Sequence, residues 1–167
     1  MGQREEPECT DVLYTCDLCV GAHLATRRPG YVHHGIYIGN GRVIHYAGFS
    51  RHLGSGPVEV ISIEEFSAGF GLLLVPHPHA QYTGREIARR AASRLGEHNY
   101  KLLTNNCEHL CLWCVLGQGR SHQVDACMRN PARAVRVLFT LLLCKVVRDW
   151  MQASSGRTVE VPVPEMS

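Results

Sequence analysis

Tyr31-Val32-His33-His34-Gly35-Ile36-Tyr37-Ile38-Gly39-Asn40-Gly41-Arg42-Val43-Ile44-His45-Tyr46 is the stretch whose reading decides the fold. Two β-rich runs flank Asn40-Gly41, a dipeptide that tolerates the positive φ values of a tight hairpin turn. Register then decides which histidines share a face. A two-residue loop pairs Gly39 with Arg42 and puts His34, Ile36, Ile38, Val43 and His45 together, mixing apolar and polar side chains. A three-residue loop with Gly41 in the left-handed region pairs Ile38 with Arg42 instead. One face then carries Ile36, Ile38, Ile44 and Tyr46 with His34 at its end, and the other carries His33, Gly35, Tyr37, Val43 and His45. A one-residue slip exchanges the faces, so the register that separates a core face from a polar face is the one expected. It makes His33 and His45 face partners.

Outward from the hairpin, Ala22 to Arg27 reads as a preceding strand, ended by the turn chemistry of Arg28-Pro29-Gly30. A Gly-rich loop from Gly48 to Gly56 follows, then alternation at Val58 and Val60. Ser62 to Glu65 offers a capped turn, and Gly71 to Pro76 a short buried strand. Thr83 and Glu86 form a capping-box pattern that opens a helix through Leu95, with Gly96 as its stop. Strands followed by helices predict an α+β fold with an antiparallel sheet packed against helices.

The second informative stretch is Asn105-Asn106-Cys107-Glu108-His109-Leu110-Cys111-Leu112-Trp113-Cys114. Asn105 and Glu108 have the N-cap and N3 spacing of a helix start, and Gly117 suits the helix end. Cys107 falls in the first turn, where unpaired N–H groups and the helix dipole favour a thiolate, so a depressed thiol pKa is expected. Residues 107, 110, 111 and 114 make an inward-facing stripe. A connecting segment then leads to Pro131, and Ala134 to Val147 forms a further helix. Its uncharged core, Val137 to Cys144, is too short for the roughly 20 residues that cross a bilayer. It reads as a buried helix, or as an interfacial one with Arg133, Arg136, Lys145 and Arg148 flanking the apolar core.

A chain of 167 residues suits one domain that needs no disulfides. Net charge is +2, from 17 basic and 15 acidic residues, too balanced to suggest nucleic acid as a partner. Residues 1–8 are polar with no apolar run, so no secretory leader is expected. Eight cysteines without one suit free thiols in a reducing, cytoplasmic setting.

A thiol at a helix start, a histidine to take and return its proton, and a third group to orient that histidine form a template for acyl transfer. Cys107, His33 and His45 fit it, with backbone N–H groups at Cys107 available to an oxyanion. At these residues the sequence resembles a known family. His33 to His45, preceded by Arg28 to Tyr31, together with Asn106-Cys107-Glu108-His109-Leu110, look like the two boxes of the lecithin:retinol acyltransferase family, a permuted branch of the NlpC-type papain-like thiol enzymes. The resemblance covers roughly Gly21 to Asp125, and the compact spacing is closest to the bacterial-type members.

The resemblance implies Cys107 as nucleophile, His33 as base and His45 as the orienting residue. Tyr31 and Asn106 stand beside the reaction centre, Tyr31 as a donor to the oxyanion. It also implies a glycerophospholipid acyl donor, an acyl-cysteine thioester, and transfer to water, an amine or an alcohol, with no cofactor or metal. Ala22 stands where relatives often have an acidic residue, and the apolar 134–147 segment is shorter than the anchors of animal members. The expected division is a polar lead (1–15), a catalytic domain (16–130), an apolar or amphipathic helix (131–152) and a disordered tail (153–167). Peripheral membrane attachment would run through 134–147.

Three competing readings remain. A papain-like peptidase or amidase would use the same side chains, and a non-catalytic interaction module would keep the same fold. Cys16, Cys19, Cys111 and Cys114 could supply zinc ligands, although buried thiols are the simpler expectation. The remaining histidines are expected to be ordinary: His77 and His79 in a solvated loop, His109 partly exposed, and His34 in packing or at a rim.

Overall fold

The computed structural model describes residues 10–11, 18–48 and 56–155. The elements are β1 (Thr10–Asp11), β2 (His23–Arg28), β3 (Tyr31–Gly39), β4 (Arg42–Gly48), β5 (Gly56–Ser62), α1 (Ile63–Ser67), β6 (Leu72–Leu74), α2 (Gly84–Ala92), α3 (Cys107–Leu116), α4 (His122–Arg129) and α5 (Pro131–Ser155). The strands form one antiparallel sheet in the order β1-β6-β2-β3-β4-β5. The expected α+β architecture is present.

The hairpin combines both loops considered from sequence. Gly39 pairs with Arg42 across a two-residue turn in which Asn40 (φ 50°) and Gly41 (φ 66°) are both left-handed. The expected pairing of Ile38 with Arg42 is therefore wrong. A register shift between Tyr37 and Gly39 leaves Ile38 as a bulge, and beyond it Tyr37 pairs with Val43, Ile36 with Ile44 and Gly35 with His45. The extra residue offsets the shorter turn, so the expected partition of side chains between faces emerges by a different route.

Both faces of the sheet are covered. Ile36, Ile44, Tyr46 and Val58 pack against Ile87 and Ala91 of α2 and Leu110, Cys111, Cys114 and Val115 of α3. On the other face, Leu24, Tyr37, Val43 and Ile61 pack with Ile63 and Phe66 of α1. Each fully buried side chain of this size contributes about 1.5–3 kcal/mol of transfer free energy. The capping box of α1 forms as its sequence implies, Ser62 Oγ accepting from Glu65 N and Glu65 Oε2 accepting from Ser62 N, both at 3.1 Å.

Other boundaries differ from expectation. α2 stops at Ala92 rather than Leu95, and Thr83 makes no side-chain cap bond. At the start of α2 the backbone runs close against the segment before β2: a Cβ on Gly84 would lie 2.1 Å from the Val20 carbonyl oxygen, so only glycine fits there. The presumed connecting segment before Pro131 contains α4, capped by Ser121 Oγ, which accepts from Val124 N at 3.3 Å. β6 spans three residues of the expected Gly71–Pro76 strand.

α5 is a 25-residue helix and is not buried. Val135 and Phe139 are each 67% exposed and Trp150 70%, and Leu138, Leu142, Leu143 and Val146 also face outward. Among the described residues no helix is long and apolar enough to cross a membrane. The residues proposed from sequence as lead and tail, apart from 10–11 and 153–155, lie outside the described set. So do Cys16, most of the Gly-rich loop, and the side chains of Arg133, Lys145 and Arg148.

Candidate active site

α3 begins at Cys107, and its N-cap is Asn106, one residue later than the sequence pattern suggested. Asn106 Oδ1 accepts from Glu108 N (3.0 Å) and His109 N (3.1 Å), and the His109 ring returns to Asn106 N at 3.4 Å. Asn105 cannot serve as the cap because its amide is committed elsewhere, donating to Glu97 Oε1 (2.9 Å) and to the Asn99 carbonyl (2.8 Å). His109 is thus a buried capping residue, 8% exposed, and not a surface histidine. Most of α3 is buried, not one stripe alone, as expected for a helix that is apolar nearly all round.

Glu108, expected to close the α3 cap, instead caps the next helix. Its carboxylate accepts from Ser121 Oγ (2.5 Å), His122 N (3.0 Å) and Gln123 N (3.1 Å), placing negative charge at the start of α4. Burial pushes the Glu108 carboxyl up. The neighbouring His34 and these donors override it and leave the group below its ordinary value.

Cys107 occupies the first turn as expected but does not have the expected acidity. Burial pushes its thiol up to about 12, and the nearby Glu108 charge acts in the same direction. The backbone N–H groups of His34, Glu108 and Cys107 itself oppose the shift without cancelling it. A helix start stabilises a thiolate only partly when the cysteine is buried, as Cys107 is at 4% exposure.

His33 and His45 are brought together. His33 Nε2 lies 2.8 Å from His45 Nδ1, with the rings edge to face and both side chains buried. Phe66 closes over the pair, its ring centroid 5.3 Å from that of His33, and the Tyr31 ring stands edge-on at 6.1 Å. Burial holds the His33 pKa well below its usual value, helped by the charges of His45, Arg28 and His34. The β3–β4 pairing begins with Gly35 opposite His45. One residue before it, the His34 backbone N–H is directed at the Cys107 sulfur. The sulfur therefore sits against the peptide group that follows His33. With Nε2 directed at His45, Nδ1 is the other ring nitrogen of His33, and no hydrogen bond to it is found among the described residues.

Behind His45 stands Glu59, a residue not singled out from sequence. It pairs directly with His45 across β4 and β5, and Glu59 Oε1 lies 3.3 Å from His45 Nε2. The signal was present, since Glu59 lies between Val58 and Val60 and so must face away from them.

A second histidine array lies on the α3 face of the sheet. His34 Nδ1 is 2.9 Å from His23 Nε2, and His23 Nδ1 is 2.7 Å from His77 Nε2. His77 is therefore an anchored residue stacked on His23, not part of a solvated loop, whereas His79 is exposed. His34 is buried inside this array instead of lying at a rim. Cys111 and Cys114 are fully buried among the core side chains, and Cys19 is exposed.

Comparison with known proteins agrees with this architecture. Residues 16–120, more than half of the chain, match the family model described as lecithin retinol acyltransferase. The chain is 29% identical over 133 residues to lecithin retinol acyltransferase of Mus musculus, covering 63% of this chain and 57% of that protein. It is 30% identical over 135 residues to phospholipase A and acyltransferase 2 of Homo sapiens, covering 71% of this chain and 83% of that protein. Human lecithin retinol acyltransferase is 30% identical over 133 residues. The chain thus spans little more than half the length of the retinol acyltransferases it matches. With the paired boxes, the antiparallel sheet and the helix-start cysteine all in place, this chain belongs to the lecithin retinol acyltransferase family.

Proposed function

We propose that this protein is a cysteine-dependent acyltransferase or phospholipase A-type hydrolase that cleaves an acyl ester of a glycerophospholipid through a thioester on Cys107. The observation that carries this reading is the buried His33–His45 pair, joined at 2.8 Å, with the Cys107 sulfur against the adjoining peptide. The names of the relatives, an acyltransferase of lecithin and retinol and a phospholipase A and acyltransferase, agree with it.

In this mechanism the resting pair is neutral, because the thiol is held up by burial and the imidazole is held down. As the sulfur attacks the ester carbonyl carbon, its proton passes to His33 Nδ1. His45, backed by Glu59, keeps His33 oriented and stabilises the imidazolium that forms. The oxyanion is met by backbone N–H at the start of α3 and by the Tyr31 hydroxyl. Collapse breaks the ester C–O bond, and His33 returns the proton to the departing alkoxide, leaving acyl-Cys107. Water, an amine or an alcohol then attacks the thioester while losing a proton to His33, and the thiol is regenerated when that proton returns to sulfur. Asn106 acts by holding Cys107 at the first position of α3.

Residues 16–130 form the catalytic unit of this proposal, and α5 supplies attachment to a lipid surface through its outward apolar side chains. The setting is a reducing one, at or near a membrane, in keeping with the free thiols and the compact, bacterial-type spacing of the boxes.

Intact-mass analysis after incubation with phosphatidylcholine vesicles tests the reaction. An acyl adduct absent from Cys107→Ala is the expected result. No adduct with any phospholipid, together with cleavage of a peptide bond, would replace this reading with an amidase, and neither activity would leave an interaction module.

A further inference from the structure

Arg28 ends β2 at the turn into β3, and its guanidinium is gripped by neutral oxygens. Nη1 donates to the Ser67 carbonyl (2.9 Å), to Thr26 Oγ1 (3.1 Å) and to the Arg27 carbonyl (3.3 Å). Nη2 donates to the Phe66 carbonyl at 2.5 Å. The group also lies over the Phe70 ring, 5.1 Å from its centroid. Among the described residues no carboxylate pairs with it, in contrast to Arg94 with Glu97 and Arg120 with Asp125. Nε–H and the second Nη2 hydrogen, which share one edge of the planar fork, have no bonding partner among the described residues.

Two further observations locate this open edge. The Arg28 charge is close enough to His33 to be one of the influences that depress it, so the guanidinium belongs to the neighbourhood of the reaction centre. Two residues on, Gly30 lies against α5, where an added Cβ would be 3.1 Å from Thr140 Cγ2 and 3.7 Å from the Val137 carbonyl oxygen. The adjoining Leu138 and Phe139 are outward-facing apolar residues. A partly buried cation with no carboxylate partner among the described residues thus lies in the neighbourhood of the histidine pair, on the strand end whose turn meets α5. Such a cation gains from an incoming anion, and the arginine fork matches phosphate oxygens in bidentate fashion.

We propose that Arg28 is the phosphate-recognition residue of this site, engaging the headgroup phosphate of the glycerophospholipid whose acyl ester is presented to Cys107. The proposal rests on the acyl-transfer reading above. It makes Arg28 a determinant of substrate class: phosphate-bearing lipid esters are favoured over neutral ones.

The test compares phosphatidylcholine in mixed micelles with p-nitrophenyl butyrate, a neutral ester without phosphate. In Arg28→Gln the ratio of kcat/KM for phosphatidylcholine to that for the neutral ester falls at least tenfold, mostly through KM. Arg28→Lys keeps the charge, recovers part of the ratio, and keeps the test open should the Gln variant unfold. Equal losses on both substrates, or no loss on either, would reduce Arg28 to a clamp between β2 and α1 and overturn the proposal. If the unsubstituted protein turns over neither ester, the acyl-transfer reading fails by itself and binding decides the role of Arg28. The isotope-labelled full chain is then titrated with sn-glycero-3-phosphocholine and, separately, with inorganic phosphate, and amide shifts are recorded. Saturable shifts with the phosphodiester that vanish in Arg28→Gln support the assignment. Shifts with inorganic phosphate alone would mark a free-anion site, and shifts with neither would remove the site; both results overturn the proposal.

Discussion

His45 on β4 stands directly opposite Glu59 on β5, and the Glu59 carboxylate lies 3.3 Å from the His45 nitrogen that faces away from His33. The polar line therefore runs from β3 through β4 to β5, one residue per strand. A carboxylate at the end of such a line favours positive charge on the ring in front of it, which is the effect the reaction proposed above would draw on.

Replacing Glu59 with Gln keeps the size of the side chain and removes its charge. The expected result is a loss of about tenfold in kcat with KM little changed, since orientation and charge are needed only as the imidazolium forms. Steady-state kinetics on a soluble ester measure this. A loss confined to KM would place Glu59 in substrate binding instead.

The buried thiols make an alkaline prediction. Cys107 and Cys114 are each pushed up to about 12 and Cys111 is raised well above its usual value, in every case chiefly by burial. An unfolded thiol ionises near about 8.5. Above that pH the unfolded chain loses protons that the folded chain retains, so stability falls as pH rises. The urea midpoint should decline from about pH 8.5 upward, less steeply in Cys107→Ala. Alkylation of Cys107 by iodoacetamide should keep rising through pH 9 without a plateau, and a plateau at neutral pH would refute the raised thiol.

An acid limb follows from the histidines. His23, His33, His34 and His77 are all held below 6.5, with burial the main cause, and His34 falls to about 4. The unfolded chain takes up protons first as pH drops, so stability is lost from about pH 6.5 downward. Glu108, held below its ordinary value, adds to the loss at the lower end of this range. Denaturation curves at pH 7, 6, 5 and 4 should show the midpoint falling, with a shallower decline in His77→Gln. An unchanged midpoint down to pH 5 would contradict the buried neutral array.

Two helix starts that look alike in sequence should respond differently. Asn106→Ala removes a cap that accepts two N–H groups and should cost about 1–2 kcal/mol. Thr83→Ala removes no side-chain cap bond and should stay within about 0.5 kcal/mol of the unsubstituted protein. Urea denaturation at pH 7 distinguishes them, and equal costs would show that the capping geometry does not decide.

The outward face of α5 is tested with vesicles. Phe139→Ser together with Trp150→Ser should weaken sedimentation with phosphatidylcholine vesicles by at least about tenfold, since each removes apolar surface from the contact. Turnover of a water-soluble ester should be unaffected. Unaltered vesicle binding would mean that α5 is covered by something other than lipid.

Local sequence settled what is local. Asn40-Gly41 allowed both turn residues positive φ, so a hairpin was bound to form there. Period-two alternation around it separated His33 and His45 from Ile36 and Ile44, and Ser62 to Glu65 capped α1 as written. Which of two adjacent asparagines caps α3 was not local, because Asn105 is drawn away by Glu97 and Asn99 in a loop whose path depends on the rest of the fold. The same holds for Glu108, which serves the helix after its own.

What sequence alone determined was therefore most of the elements, with α4 and β1 the exceptions, the face each hairpin side chain occupies, and the family to which the two boxes point. Tertiary structure decided the Ile38 bulge, the closure of both sheet faces, the alignment of Glu59 behind His45, the joining of His77 to His23 and His34, and the direction of the Cys107 shift. The division has a physical cause. Turn conformation and alternation follow from sterics within a few residues, whereas burial, and with it the ionisation of a thiol or an imidazole, depends on which distant segments come to lie on top of it.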